Sequence, residues 1–203
     1  ALFSDADLIR FRHNDMNHLE QLLEKNVRHY TNILVVTESI FSMDGDLAPI
    51  ETFITLKEKY QCQLLIDEAH ATGIFGDHGE GRISKQQAPH VDYIVGTFGK
   101  ALGSFGAYIT CSHDVKDFLI NTCRAFIYTT ALPLSIIAAN LRSIELLKEE
   151  KKRKQKVLQH ASYFRQTLSK FTNKVLGSSH IIPIVIGEND AAESIASTLQ
   201  EQG

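Results

Sequence analysis

This 203-residue chain has few cysteines, no long apolar run and no excess of either charge, and each shortage removes a class of protein. The three cysteines, Cys62, Cys111 and Cys123, are odd in number, lack CxxC spacing and sit in apolar or mixed surroundings. They build neither a disulfide framework nor a zinc site, and read as reduced thiols acting as small buried hydrophobes in a cytosol. No apolar run approaches the roughly 20 residues that cross a bilayer. The N-terminal stretch "ALFSDADLIR" has neither a basic n-region nor an apolar h-region, so export is not expected and a cytoplasmic location is. A formal net charge of −3 gives no field to hold a polyanion, which argues against a nucleic-acid partner, as the lack of a long apolar run argues against a membrane one. The one basic concentration, "KEEKKRKQK" at 148–156, follows a helix-like run and reads as a solvated helix face. No internal repeat or low-complexity tract is present.

What is there is ordinary for a packed globular protein: 43% hydrophobic and 22% charged residues. The length holds one large domain, or one domain and part of another. Hydrophobic runs of four to six residues alternate with longer amphipathic segments, the pattern of βα units around a mostly parallel sheet. "NILVVTE" (32–38), "QLLID" (63–67), "DYIVGT" (92–97) and "GAYIT" (106–110) read as strands buried on both faces. Helical spacing marks 48–61, where Pro49 opens the run, then 113–126, and 133–170 as one long helix or a pair. Beyond these, "HIIPIVIG" (180–187) reads as a new strand and 190–202 as a helix capped by Asp190. The expected fold is α/β, with flanking helices on a mostly parallel sheet over 1–148, and over 149–203 a connecting helix and the start of a small α+β domain. One strand cannot make a sheet, so the last unit reads as unfinished and the chain as a piece of a longer polypeptide.

The stretch "LLIDEAHATG" (64–73) is spelled like the DEAH box of an RNA helicase. A helicase also needs an upstream G-x-x-x-x-G-K-[ST] loop to cradle its triphosphate, and none is present. "GTFGKALG" (96–103) lies downstream, with Ala101 where a magnesium-binding hydroxyl belongs. A metal centre at Asp67, Glu68, His70 and His78 is disfavoured too. Neighbouring strand residues point to opposite faces, and no zinc spacing of Cys or His supports them. No metal is expected.

A second segment redirects the reading: the strand "DYIVGT" runs into "TFGKALGSFGAY" (97–108), setting Lys100 just past a strand end among glycines. In an open α/β sheet, ligands collect beyond the carboxyl ends of the strands, so Asp67 and Lys100 are expected to converge on one crevice. In the plainer reading they form a salt bridge, or Asp67 caps a turn. In the chemical reading they serve pyridoxal phosphate, which needs an amine to condense with its aldehyde and a carboxylate to keep its ring nitrogen protonated.

Five segments together resemble the α-oxoamine synthases among the fold-type I pyridoxal-phosphate enzymes: "FRHNDMNHLE" (11–20), "TESIFSMDGDLAPI" (37–50), "LLIDEAHATGIFGDHGEGR" (64–82), "GTFGKALGSFGAYI" (96–109) and "FIYTTALP" (126–133). The order and spacing are the family's, and the resemblance extends more weakly to residue 203. "DEAHATGIFG" with "GSFGAYI" is most similar to the member that condenses L-alanine with a pimeloyl thioester, of coenzyme A or acyl carrier protein, in biotin synthesis. Glycine acetyltransferase tends to read "DDSHA" and 5-aminolevulinate synthase "DEVHA", though the latter shares "FRHND".

The resemblance implies a catalytic set of Lys100, Asp67 and His70. Lys100 would bond the cofactor, Asp67 would pair with its pyridine nitrogen, and His70 and Ser42 would address its phenolic oxygen. Thr97 would bind its phosphate, with Thr129 and Thr130 reaching across from the second subunit of a homodimer. Plainer roles stand beside these. Ser42 also suits the "SMDGD" turn, His70 a satisfied core position, and Thr129 and Thr130 a strand end or helix cap. The resemblance further implies a chain about twice this length, with a glycine-rich region and a ring-stacking histidine before it and a carboxylate-gripping arginine after it. On that expectation these residues alone are inactive. A non-catalytic partner subunit is the alternative from another class, against which stand the intact Lys100 and Asp67.

Overall fold

A computed structural model describes residues 4–203; Ala1, Leu2 and Phe3, the start of the stretch read above for a leader, lie outside the described residues. The chain divides into two compact units, one of Ala1–Ser39 with Ala48–Glu149 and one of Ile40–Leu47 with Glu150–Gly203.

The first unit is built on a four-stranded sheet in the order β1 (Leu34–Glu38), β2 (Gln63–Asp67), β3 (Tyr93–Thr97), β4 (Ala107–Thr110). The first three strands are parallel, and β4 returns antiparallel to β3 through the glycine-rich turn. Between β1 and β2 runs α2 (Ile50–Tyr60), which Pro49 opens as N-cap and Gln61 closes in the left-handed conformation at φ 51°. That closure needs only Cys62 before β2 begins, so helix and strand lie back to back, and Ile50, Phe53, Ile54 and Leu56 on α2 are buried with Val35, Leu64 and Ile66 of the sheet. α1 (Met16–Asn26), to which sequence patterning assigned no element, adds Leu19 and Leu23, four residues apart on one face. Its start is set by Asp15, whose side chain accepts from the His18 amide at 2.8 Å.

The strands are not buried on both faces as expected. Leu34 and Val36 are 47% and 54% exposed while Val35 and Thr37 between them are buried, and β4 is largely exposed. Helix α2 packs against β2 from one side, so burial follows the two-residue period of the strand, which an unbroken apolar run conceals. The helix expected over 113–126 breaks at Cys123, whose extended backbone (ψ 101°) separates α3 (His113–Thr122) from α4 (Arg124–Ile127). α5 (Leu134–Glu149) closes the unit.

In the second unit, α6 (Lys151–Leu168) and α7 (Asn189–Gln202) are the regular elements. The strand expected at 180–187 reduces to one antiparallel bridge, Val175 to Ile184, because Pro183 has no amide to continue a ladder. α7 begins after Glu188, so Asp190 sits in its first turn rather than at the cap. Gly45, at φ +63°, is held against 177–181. Its carbonyl accepts from the Ser178 and Ser179 amides and from the Ser179 hydroxyl at 2.7 Å, and an added Cβ would lie 2.4 Å from the Ile181 carbonyl oxygen. Most of 148–156 is exposed as expected, with Lys154 as the buried exception.

Candidate active site at the strand ends

Asp67 is the last residue of β2, in register with Glu38 of β1 on one side and Val95 of β3 on the other. Its carbonyl accepts from the Ser39 amide at 2.9 Å and its Oδ1 from the Ala69 amide at 2.7 Å. The side chain therefore turns the chain immediately off the strand. The turn is fixed one residue later, where the Glu68 carbonyl accepts from the Ala71 and Thr72 amides, both at 2.8 Å. His70 lies inside it. Burial pushes the His70 imidazole below its ordinary value and the Lys100 ammonium adds to that, while Glu38 and Asp67 pull it back up. Three residues from three strand ends thus act on one imidazole, and the net effect favours the uncharged ring.

Glu68 points the other way and is 1% exposed. Its Oε2 accepts from the Arg82 amide at 2.6 Å and the Ile83 amide at 3.4 Å. Burial pushes its carboxyl up, opposed by the Ser39 hydroxyl and those two amides. Gly81 makes the approach feasible: its φ is +118°, and a Cβ there would lie 1.6 Å from Glu68 Oε2. The Arg82 guanidinium in turn donates from Nη1 to the carbonyls of Ser39 (2.5 Å) and Ala48 (3.1 Å), where the chain leaves the first unit and returns. Sequence reasoning weighed Glu68 only as a metal ligand and passed over Arg82. The available signal was the alternation it did use: if Asp67 faces the crevice, Glu68 faces the core, where an acid needs donors.

The end of β3 is built differently. The Thr97 hydroxyl donates to the Gly106 carbonyl at 3.0 Å and accepts from the Gly99 amide at 3.1 Å, so its proton is engaged within the turn. Phe98 and Gly106, Ser104 and Phe98, and Gly103 and Lys100 are joined by backbone bonds of 2.8–3.0 Å. Lys100 is exposed at the tip. From behind, α5 holds the loop: Asn140 Nδ2 donates to the Phe105 carbonyl and the Ser143 hydroxyl to the Leu102 carbonyl. Tyr108 crosses Gly96, where a Cβ would lie 2.3 Å from the ring, and its hydroxyl meets that of Thr72 at 3.1 Å. That bond ties the hairpin carrying Lys100 to the turn carrying His70. Asn140 and Ser143 carry no motif, and Tyr108, though inside the "GSFGAYI" segment, was given no role from the sequence.

Asp67 and Lys100 therefore each act electrostatically on His70, with Thr97 at the end of β3. Thr129 and Thr130 are exposed on the segment between α4 and α5. Ser42 belongs to the second unit, in the turn where the Gly45 amide donates to Phe41.

Comparison with known proteins matches residues 3–203 to the family model Aminotransferase class I and II. A Bacillus anthracis protein named "Putative 8-amino-7-oxononanoate synthase" is 43% identical over all of this chain and 52% of its own length. Among solved structures, serine palmitoyltransferase from Sphingomonas wittichii superposes with TM-score 0.93 at 30% identity, over 100% of this chain and 51% of that one. A variant of the enzyme from S. paucimobilis, with bound PLP–myriocin aldimine, gives 0.90 at 27%, over 98% and 52%. The chain spans about half the length of the curated relatives it matches.

Proposed function

The chain belongs to the aminotransferase class I and II family, and we propose that it is the lysine-bearing part of an α-oxoamine synthase that condenses L-alanine with pimeloyl-CoA or pimeloyl-ACP to give 8-amino-7-oxononanoate. The observation that carries the reading is that an acid at the end of β2 and a lysine in the turn after the neighbouring parallel strand both act on one histidine. The name of the B. anthracis relative supports the choice of substrates.

The residues suit pyridoxal phosphate. Lys100 offers an exposed amine, Asp67 a carboxylate oriented by the Ala69 amide, and the turn around Lys100 is open: a Cβ at Gly103 would meet nothing within 4 Å, and one at Gly99 only ordinary contacts, with Thr97 Oγ1 at 3.5 Å and the Ser104 carbonyl oxygen at 4.0 Å. The cofactor supplies an aldehyde that takes an amine and a ring that draws electrons from the neighbouring carbon. Lys100 would hold the cofactor through that aldehyde and would carry the proton taken from the alanine Cα. Asp67 would keep the proton on the ring nitrogen, the largest electrostatic contribution expected of the protein in this scheme. His70 would give an N–H to the phenolic oxygen, the same atom for which Ser42 is proposed. Thr97, whose hydroxyl donates to Gly106, would hold the phosphate, with Thr129 and Thr130 contributed by the partner of a homodimer. In this reading 1–148 belongs to the large cofactor-binding domain and 149–203 begins the small one.

A second reading, another α-oxoamine synthase, draws support from the serine palmitoyltransferase superpositions. The test uses the protein with its natural ends, loaded with pyridoxal phosphate. L-alanine, glycine and L-serine are each paired with pimeloyl-, acetyl-, succinyl- and palmitoyl-CoA, and free thiol and product mass are read. Thiol release requiring L-alanine and the pimeloyl thioester, with the mass of 8-amino-7-oxononanoate, is expected. Faster release with glycine or serine and another thioester moves the assignment to a sibling, and no release with any pair supports a non-catalytic subunit.

A further inference from the structure

The end of β2 is enclosed by a closed circuit of hydrogen bonds. The Ser39 amide donates to the Asp67 carbonyl, the Arg82 guanidinium to the Ser39 carbonyl, and the Arg82 amide to the Glu68 side chain, which returns the path to Asp67's neighbour. We propose that Glu68 and Arg82 are positioning residues: together they fix where β2 ends, and so where the Asp67 carboxylate and the His70 ring are presented. This rests on the reading of Asp67 and His70 as site residues.

A carboxylate at 1% exposure is an expensive occupant of a core position. The preceding inward positions of the same strand, Leu64 and Ile66, are apolar and 0% exposed, so packing alone asks for a third aliphatic residue. What an aliphatic residue lacks is an acceptor for the Arg82 and Ile83 amides, which the sheet ladder does not reach. Arg82 spans the two residues at which the chain leaves and re-enters the first unit, Ser39 and Ala48, themselves joined by an amide-to-carbonyl bond of 3.1 Å. Releasing Arg82 loosens Ser39, and the Ser39 amide is the group that holds Asp67. On the far side, the Ala71 and Thr72 amides and the Thr72 hydroxyl all bond the Glu68 carbonyl, so a shift of Glu68 moves the turn around His70.

The test needs no cofactor. The ring of His70, one of nine histidines, is followed by NMR through a pH titration of the 13C-histidine-labelled protein with natural ends, with His70→Gln to assign it. Hydrogen exchange at the Ser39 amide is read in the same samples. The variants are Glu68→Gln, which keeps one acceptor oxygen, Glu68→Ala, Arg82→Met and Arg82→Lys, with Leu23→Ala as a core control away from the site. In Glu68→Ala and Arg82→Met the Ser39 amide is expected to exchange at least tenfold faster, and the His70 midpoint to move from its lowered position toward the ordinary histidine value as the turn loosens. Glu68→Gln is expected to restore most of both, and Leu23→Ala to leave the midpoint in place. Unchanged Ser39 exchange and His70 midpoint in Arg82→Met, or equal shifts in Leu23→Ala, overturn the proposal. Where Glu68→Ala or Arg82→Met fails to fold, Arg82→Lys, which keeps stem and charge but lacks the planar fork, is judged by the same two readings. Loss of cofactor binding in the unaltered protein would defeat the functional reading and leave these readings intact.

Discussion

The ends of β2 and β3 carry the two halves of the candidate site and are built in opposite ways. At β2 the acid is flanked by a buried glutamate, a clasping arginine and two backbone bonds. At β3 the lysine sits exposed on a turn of Gly99, Gly103 and Gly106. The same sheet edge thus offers a fixed carboxylate and a free amine. In the proposed reaction that division is functional: the acid keeps one contact throughout, while the lysine must bond, release and carry a proton.

The largest effect should come from the free end. Lys100→Ala is expected to reduce borohydride-trapped pyridoxal phosphate to background with unchanged thermal unfolding, because the side chain is exposed. At the fixed end, Asp67→Asn should retain the fold and lower turnover by about 10²–10³-fold, as for loss of one preorganised electrostatic group. Stability reverses the order. Glu68→Ala should cost about 1–3 kcal/mol in urea unfolding by leaving the loop amides without an acceptor, whereas Lys100→Ala should stay within about 0.5 kcal/mol. Equal losses at both positions would erase the contrast. The glycines sharpen it further. Gly81→Ala, with its Cβ 1.6 Å from Glu68 Oε2, should destabilise more than Gly103→Ala, whose Cβ meets nothing within 4 Å. The latter pays only the left-handed backbone, about 1–2 kcal/mol.

The smallest effects are in pH dependence. The Glu68 carboxyl is pushed up by burial, so between its unfolded and folded values the folded state holds the extra proton and stability falls as pH rises. The His70 imidazole is pushed down. Between its folded value and the ordinary one the unfolded chain holds the extra proton, and stability rises with pH. Urea unfolding across pH should lose the falling slope in Glu68→Gln and the rising slope in His70→Gln.

Much of this contrast was legible in the sequence on one side only. The mostly parallel sheet, the lysine turn and the acid at a strand end follow from apolar runs and from Gly and Asp at their boundaries. Strand burial on both faces did not follow, since a run such as "NILVVTE" is compatible with one covered face or two. Pro183 inside "HIIPIVIG" was the sign against a strand there. The brace was the least legible part. Glu68, Arg82, Ser39 and Ala48 are spread over 44 positions and meet through backbone groups, which carry no residue signature. The Tyr108 to Thr72 bond is hidden for a different reason: it joins two side-chain hydroxyls 36 positions apart, brought together by the register of Tyr108 on Gly96.

The measurement closest to the central claim is peptide mapping after borohydride reduction of the protein with natural ends, incubated with pyridoxal phosphate. The account predicts one stoichiometric adduct, on the peptide that contains Lys100. An adduct spread over surface lysines such as Lys151 and Lys152, or none on Lys100 in a folded protein, would contradict it.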